Sequence, residues 1–270
     1  MGGVPKMEKL WMQEMSWPEI KAKLQETDIV LIPAGSTEQH GPHLPLGVDT
    51  FIPIYIAEEV AKRTGVPIAP PIWFAPCEWH MGFPGTISIR PTTLISLLFD
   101  ICRSLRRHGF RNFIIINGHT SGNNPALISA ADEIQTEMPD VRVWVVDVVL
   151  MAKKAVLDVC EAEILYHADE VEASQMLVAR EDLVQLEKAK KIIPKTKSRF
   201  IKLDYRPSDA ELLFRPTAED WRNLTSEGNI GDPTIASEEK GKVMMEALIE
   251  NVVEFINDLK KDCNEPKRGE

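Results

Sequence analysis

The sequence lacks most of the features that would place it in a special class. No apolar run approaches the roughly 20 residues that a helix needs to cross a bilayer, and the first ten residues hold no charged-then-apolar leader. Only four cysteines occur, Cys77, Cys102, Cys160 and Cys263, and no two stand at a CxxC spacing. That distribution argues against a disulfide scaffold and a cysteine-based zinc or redox motif; it reads as isolated thiols in a reducing compartment. Positive charge is scarce: 31 Lys+Arg face 41 Asp+Glu, for a net charge of -10. A surface of that sign disfavours non-specific binding to nucleic acid or to an anionic membrane. Neither GxGxxG nor GxxxxGK[ST] follows a strand-like run, so the common phosphate loops are missing too. These absences predict a soluble, cytoplasmic protein that takes a small-molecule substrate, with neither nucleic acid nor membrane as partner.

What is present is patterned. A hydrophobic content of 44% over 270 residues suits a core large enough to stand without staples. Residues 28–34 form a continuous apolar run, as expected of a strand buried on both faces. A helix is expected over residues 50–63, closing near Gly65, then a short strand over 66–69. Pro91 suits a helix start, and Leu94, Leu97, Leu98, Ile101 and Leu105 share one helical face that stops at Gly109. A strand over 112–117, a helix over 125–137 and a strand over 141–149 follow. This alternation predicts an α/β fold: a single domain, residues 1–270 with its core at about 28–260, whose mostly parallel central sheet is flanked by helices. Residues 185–235 lack a clear period and are expected to be elaborated loops, over the site or at a subunit contact. A last helix over 237–259 precedes a tail that should fray from Lys260.

Ligands of such sheets bind beyond the carboxyl ends of the strands. Two loops at those ends are dense in metal-binding residues: Gly35-Ser-Thr-Glu-Gln-His-Gly-Pro-His-Leu-Pro-Leu-Gly-Val-Asp49 and Asn117-Gly-His-Thr-Ser-Gly-Asn-Asn124. A third cluster, His167-Ala-Asp-Glu-Val-Glu172, stands at a loop-to-helix junction. Of six histidines only His108, beside Arg106 and Arg107 at a helix end, reads as a surface or capping residue. His40, His43, His80, His119 and His167 fall in turn-rich segments near carboxylates, Gly or Pro. Imidazole and carboxylate together suit Zn²⁺, Mn²⁺ or Fe²⁺, and a carboxylate such as Asp49 can bridge two ions. Taken singly, each residue has a plainer role. Glu38 and His40 could lie in a solvated loop, and Asp49 could cap the following helix. His119 could bond to backbone, and His167 could stand at a helix N-terminus. Recurrence at successive strand ends favours a two-metal centre built from Glu38, His40, Asp49 and His119.

At these residues the sequence resembles the creatininase family, creatinine amidohydrolase and its relatives. The resemblance rests on the segment from Gly35 to Pro45 followed by Asp49. It continues through Phe83-Pro-Gly-Thr-Ile-Ser88, Asn117-Gly-His119, the His167–Glu172 cluster and Gly231-Asp-Pro233, and spans about residues 28–241. It implies that Glu38, His40 and His119 bind metal, that Asp49 bridges two divalent ions, and that His167 transfers protons. The ions would be zinc first, with manganese or iron as alternatives. One position departs: creatininase has a ligand carboxylate two residues after the Asn-Gly-His histidine, where this chain has Ser121. Many relatives complete the site with the distant glutamate, so Glu172 is the expected fifth ligand and creatinine an expected poor substrate.

The implied function is a dinuclear hydrolase in which metal-bound hydroxide attacks a carbonyl of a small cyclic or amide substrate, with cleavage of a C–N bond favoured. Its alternatives are a carbon–carbon hydrolase opening an inositol-derived cyclic diketone of the 3-dehydro-scyllo-inosose type, and a non-catalytic metal- or ligand-binding protein that kept the fold. His80, Ser121, Ser88 and the backbone before it are expected to hold substrate, and Trp79 to wall the pocket, although a Trp is more often simply packed. The resemblance also implies a homo-oligomer, hexamers included.

Overall fold

The computed structural model describes residues 9–198, 200–206 and 215–262. Three strands, β1 (Ile29–Ala34), β2 (Asn112–Asn117) and β3 (Arg142–Asp147), pair in that order and all in parallel. Ile29 stands opposite Asn112 and Asn112 opposite Arg142, so the strands end level at Ala34, Asn117 and Asp147. Side chains alternate between two cores, as the strand period of two requires. Val30, Ile32, Phe113 and Ile115 face one; Ile29, Leu31, Ile114 and Ile116 face the other. Both faces are therefore dry, which is why β1 is apolar throughout instead of alternating.

In chain order the helices are α1 (Trp17–Lys23), α2 (Val48–Thr64), α3 (Pro91–His108), α4 (Thr120–Glu137), α5 (Lys153–Val159), α6 (Glu170–Ala179), α7 (Ala218–Leu224) and α8 (Glu238–Asp262). Helices α3 and α4 cover one face of the sheet through Leu94, Leu98, Leu127 and Ile134. On the other face α2, α6 and α8 pack together through Ile52, Ile56, Met176, Leu248 and Val252. A small antiparallel pair, β4 (Leu165–His167) with β5 (Ile230–Gly231), stands apart from the main sheet. The expected α/β architecture with a parallel sheet is what the chain adopts. Among the described residues, no helix is long and apolar enough to cross a membrane.

Several boundaries differ from the sequence reading. Helix α2 begins at Val48 with Gly47 at its cap, so Asp49 lies in the first turn and does not cap it. Helix α4 begins directly after His119, five residues earlier than expected, with Pro125 inside it. Pro usually marks a first helical position; here it falls one turn later and leaves the Ser121 carbonyl without a helical N–H. Residues 66–69 form no strand: Ile68 makes single bridges to Trp11 and Leu31. In the segment 185–235 the described residues are loop-rich but hold α7 and β5, and residues 199 and 207–214 lie outside them. Of the tail expected to fray from Lys260, residues 260–262 are helical and residues 263–270 lie outside the described residues. Cys77 and Cys102 are buried free thiols and Cys160 is a half-buried one, while Cys263 lies outside the described residues.

Candidate metal centre

Two strand-end loops and the start of α2 converge on one backbone group. Gly35 follows β1 and Gly118 follows β2, and a Cβ at either would come within 2.1 Å of the Asp49 carbonyl oxygen. Only glycine permits that approach. The first loop is closed by Glu38 N–H donating to the Leu46 carbonyl, 2.9 Å, and is braced by Ile87 N–H donating to Thr37, 2.9 Å. In the second loop, Asn117 Oδ1 accepts from His119 N–H at 3.1 Å and from Asn123 Nδ2 at 3.0 Å. The third cluster is shaped by Asp169, which caps α6 by accepting from Val171 and Glu172 N–H. Ala168 adopts a left-handed φ of 48°, a conformation L residues rarely take. Its N–H donates to Glu172 Oε2.

This scaffold brings the expected ligands together. Glu38, His40, Asp49 and His119 are buried. Asp49 stands between two imidazoles, with Oδ1 3.0 Å from His40 Nε2 and Oδ2 2.8 Å from His119 Nδ1. His119 Nε2 lies 3.4 Å from Glu38 Oε2, and His40 Nε2 lies 3.7 Å from Glu172 Oε2. Two donor sets result, Glu38–Asp49–His119 and His40–Asp49–Glu172, each with ligand atoms within 4.8 Å of one another. A third set joins Glu38, His40 and His167. Glu38 Oε2 accepts no hydrogen bond although buried, a costly state for a carboxylate oxygen unless a cation meets it. Borderline-soft imidazole with hard carboxylate is the donor chemistry of zinc and manganese, so the residues fit the metals their pattern implies.

Backbone carbonyls orient three of the rings. Nδ1 of His40 lies 3.1 Å from the Glu38 carbonyl, Nε2 of His119 lies 3.2 Å from that of Pro76, and Nε2 of His167 lies 2.9 Å from that of Gln39. A carbonyl only accepts, so each of these nitrogens carries the proton. The opposite nitrogens, His40 Nε2, His119 Nδ1 and His167 Nδ1, face the carboxylates and are the ones that could meet a metal once deprotonated. Such outer bonds are how proteins fix the tautomer of a metal-binding histidine. Ser36 Oγ completes the set by donating to Asp49 Oδ2 at 2.9 Å.

Without metal the cluster holds protons. Burial disfavours the Asp49 charge, yet His40 and His119 outweigh it and hold the carboxyl well below its usual range. Glu38 is likewise lowered, with His119 and His80 overcoming burial. Burial also opposes charge on His40, but Asp49 and Glu172 raise it to about 10; Glu38 and Asp49 similarly raise His119 to about 9. Burial pushes Glu172 up to about 8, with His40 opposing. His167 is held well below the histidine range by burial and by His80 and His40 beside it. It is therefore neutral at pH 7 and able to accept a proton.

Beside the candidate ligands lies an open pocket whose lining includes Trp79, Ser121, His167, Glu172 and Arg215. Trp79 stacks on His119, centroids 5.8 Å apart at 15°. Ser121 lies in the lining and shares a hydrogen bond with Tyr205. His80 also reaches the lining, with Nε2 3.1 Å from Glu38 Oε1. The structure does not bring Ser88 to the chamber: its Oγ accepts from Cys77 N–H at 3.1 Å. His43 is buried outside the lining and His108 is exposed at the end of α3.

Sequence reasoning missed Gln39, whose Nε2 contacts His80 Nδ1, His167 Nε2 and the Gly228 carbonyl. It also missed Trp221, packed edge-on against His80 at 4.4 Å, together with Tyr166, Tyr205 and Arg215. Only Gln39 carried a signal, its place between Glu38 and His40.

Residues 13–256 match the family model Creatininase, described as creatinine amidohydrolase. The chain is 30% identical to 3-dehydro-scyllo-inosose hydrolase of Thermotoga maritima, over 93% of this chain and 83% of that one. Creatinine amidohydrolase of Pseudomonas putida is 28% identical over 92% of this chain and 96% of its own. The mycofactocin precursor peptide peptidase of Mycolicibacterium smegmatis is 31% identical over 87% of each chain. A crystal structure of creatinine amidohydrolase (creatininase) superposes with a TM-score of 0.78 at 25% identity, over 92% of this chain and 97% of that one. A Mn creatininase and a creatininase mutant of Zn–Zn type share the fold at 24% identity, with TM-scores of 0.79 and 0.78, each over 93% of this chain and 98% of theirs.

Proposed function

The chain belongs to the creatininase family and is a hydrolase, and we propose that it uses two divalent ions, zinc in the first instance, to cleave a C–N bond in a small cyclic or linear amide. The observation that carries this reading is the place of Asp49 in two donor sets at once, which is what a bridging carboxylate requires. Glu38 and His119 would complete one site, His40 and Glu172 the other. The ions would supply Lewis acidity toward the carbonyl and bring the pKa of a bound water to about 7.

The protein's own groups do the rest. His167 is neutral, and its Nε2–H is held by the Gln39 carbonyl. Nδ1 is thus free to take a proton from the attacking water and return it to the departing nitrogen. Trp79, fixed on His119, walls one side of the chamber, and Ser121 with Tyr205 offers hydroxyls on another. A second reading follows from those hydroxyls and from the likeness to 3-dehydro-scyllo-inosose hydrolase: the leaving atom is carbon, and the same proton from His167 quenches an enolate.

A panel of cyclic amides, formamides, short peptides and cyclic diketones, run with metal-loaded protein, tests both. Amine release that is abolished by chelation and restored by metal supports the amidohydrolase. Turnover of a diketone with none of the amides moves the assignment to carbon–carbon cleavage. Hydrolysis indifferent to chelation would sink the metal reading.

A further inference from the structure

Resting on that reading and narrowing its substrate, we propose that the molecule hydrolysed carries a carboxylate and that Arg215 receives it. Among the described residues, Arg215 is the one Lys or Arg in the lining of the metal chamber. Its Cζ lies 5.7 Å from the centroid of Trp79, the same indole that stacks on His119. Among the described residues no carboxylate pairs with it, although the chain as a whole has ten more acidic than basic side chains. Contact with an aromatic face holds a guanidinium by its charge and leaves its N–H fork free for a planar anion.

Charge balance gives the guanidinium a purpose outside the protein. Three carboxylates line the chamber, Glu38, Asp49 and Glu172, and all three belong to the donor sets. With two dications bound they are committed to metal, and the negative charge of a bound hydroxide would bring the centre itself to neutrality. Arg215 then adds positive charge that no side chain of the site neutralises. A guanidinium left unbalanced beside a neutral centre is matched to an anionic group on the molecule that binds there. The contacts of Trp79 with both Arg215 and His119 also set the layout. The reacting carbonyl sits over Asp49 and His119, the substrate body lies along the indole, and its carboxylate reaches the guanidinium in the forked geometry that Arg and carboxylate share. Carboxylated lactams and N-acyl amino acids have this form.

The test is equilibrium binding of a matched pair, hippurate and its uncharged amide hippuramide, to metal-loaded wild type, Arg215→Gln and Arg215→Lys. Wild type is expected to favour the carboxylate by about tenfold, the worth of one charge-assisted pair at a partly exposed site. Arg215→Gln should lose that preference with metal content unchanged, and Arg215→Lys should keep part of it. Equal binding of the pair by wild type overturns the proposal. A preference that survives in Arg215→Gln overturns it as well, because the carboxylate then sits on the ions. If the protein takes up no metal, the dinuclear reading fails by itself, and the same pair measured on metal-free protein still reports on Arg215.

Discussion

Gln39 Nε2 lies 2.9 Å from His80 Nδ1 and 3.0 Å from the Gly228 carbonyl, so its two protons are both in use. His80 therefore accepts at Nδ1 and carries its own proton on Nε2, the nitrogen 3.1 Å from Glu38 Oε1. The 3.0 Å approach of Gln39 Nε2 to His167 Nε2 is then a contact between two donors, since the His167 proton is held by the Gln39 carbonyl. Gln39 thus orients a candidate ligand carboxylate through one histidine, by its side chain, and fixes a second histidine through its backbone carbonyl.

Replacing that amide should be felt at the metals. Gln39→Leu is expected to fold, by circular dichroism, and to lose about 10–100-fold in metal affinity or turnover, the usual cost of removing an outer partner of a ligand. Gln39→Glu should do no better, because a carboxylate cannot donate to Gly228. Competition with a chelator of known affinity measures the first effect. Wild-type affinity and rate in both variants would show that His80 needs no such support.

Asp49→Asn should strip both ions, whereas Glu38→Gln and Glu172→Gln should each weaken one site more than the other. Elemental analysis after dialysis distinguishes these patterns. Retention of both ions by Asp49→Asn would remove the bridge from the scheme.

His167→Ala is expected to keep its metals and to lose roughly 10²–10⁴ in rate, the weight of a positioned acid or base. Loss of metal in this variant would instead make His167 a ligand of the Glu38–His40 set.

Metal uptake should release protons. In the metal-free protein His40 titrates near 10, His119 near 9 and Glu172 near 8, so all three are protonated at pH 7 and must be stripped to bind. Calorimetric heats of metal binding should vary with the ionisation enthalpy of the buffer, and affinity should rise between pH 7 and 10. The stability of the metal-free form runs the other way. A histidine raised in the folded state stabilises it below about pH 6.5 and stops doing so as pH climbs through the raised value. Glu172 acts in the same direction, its raised pKa making the folded state less favourable as it ionises. The gap in melting temperature between loaded and metal-free protein should therefore widen from pH 7 to 10. Heats that do not depend on the buffer would contradict the protonated cluster.

The sheet was legible because β1 and β2 are buried on both faces and therefore read as unbroken apolar runs. Glu38, His40 and Asp49 were legible because one short loop carries them all, and His119 because Asn117-Gly precedes it at the next strand end. Glu172 entered only through the family resemblance, since nothing local distinguishes it from the neighbouring Glu170. Helix starts were misplaced where the usual punctuation misleads: Gly47 caps α2 although Asp49 is nearby, and Pro125 sits inside α4. Tyr205, Arg215 and Trp221 gave no signal because their segment has no period. Local spacing cannot show that Trp221 lies against His80 or Arg215 against Trp79.

The chamber is assembled from two sources. Every candidate ligand grows from a strand end, the first turn of α2 or the capped start of α6, parts anchored in the two cores. Tyr205 and Arg215 come instead from loop positions, and Trp221 from the short helix α7. Such a division separates inheritance from invention. Substitution at Tyr205 or Arg215 would alter which molecule is admitted while the candidate ligands stay anchored, so new substrates need not be won by rebuilding the chemistry. Relatives named for creatinine, for an inosose and for a precursor peptide are what a lineage with an exchangeable front wall on a fixed engine would leave behind.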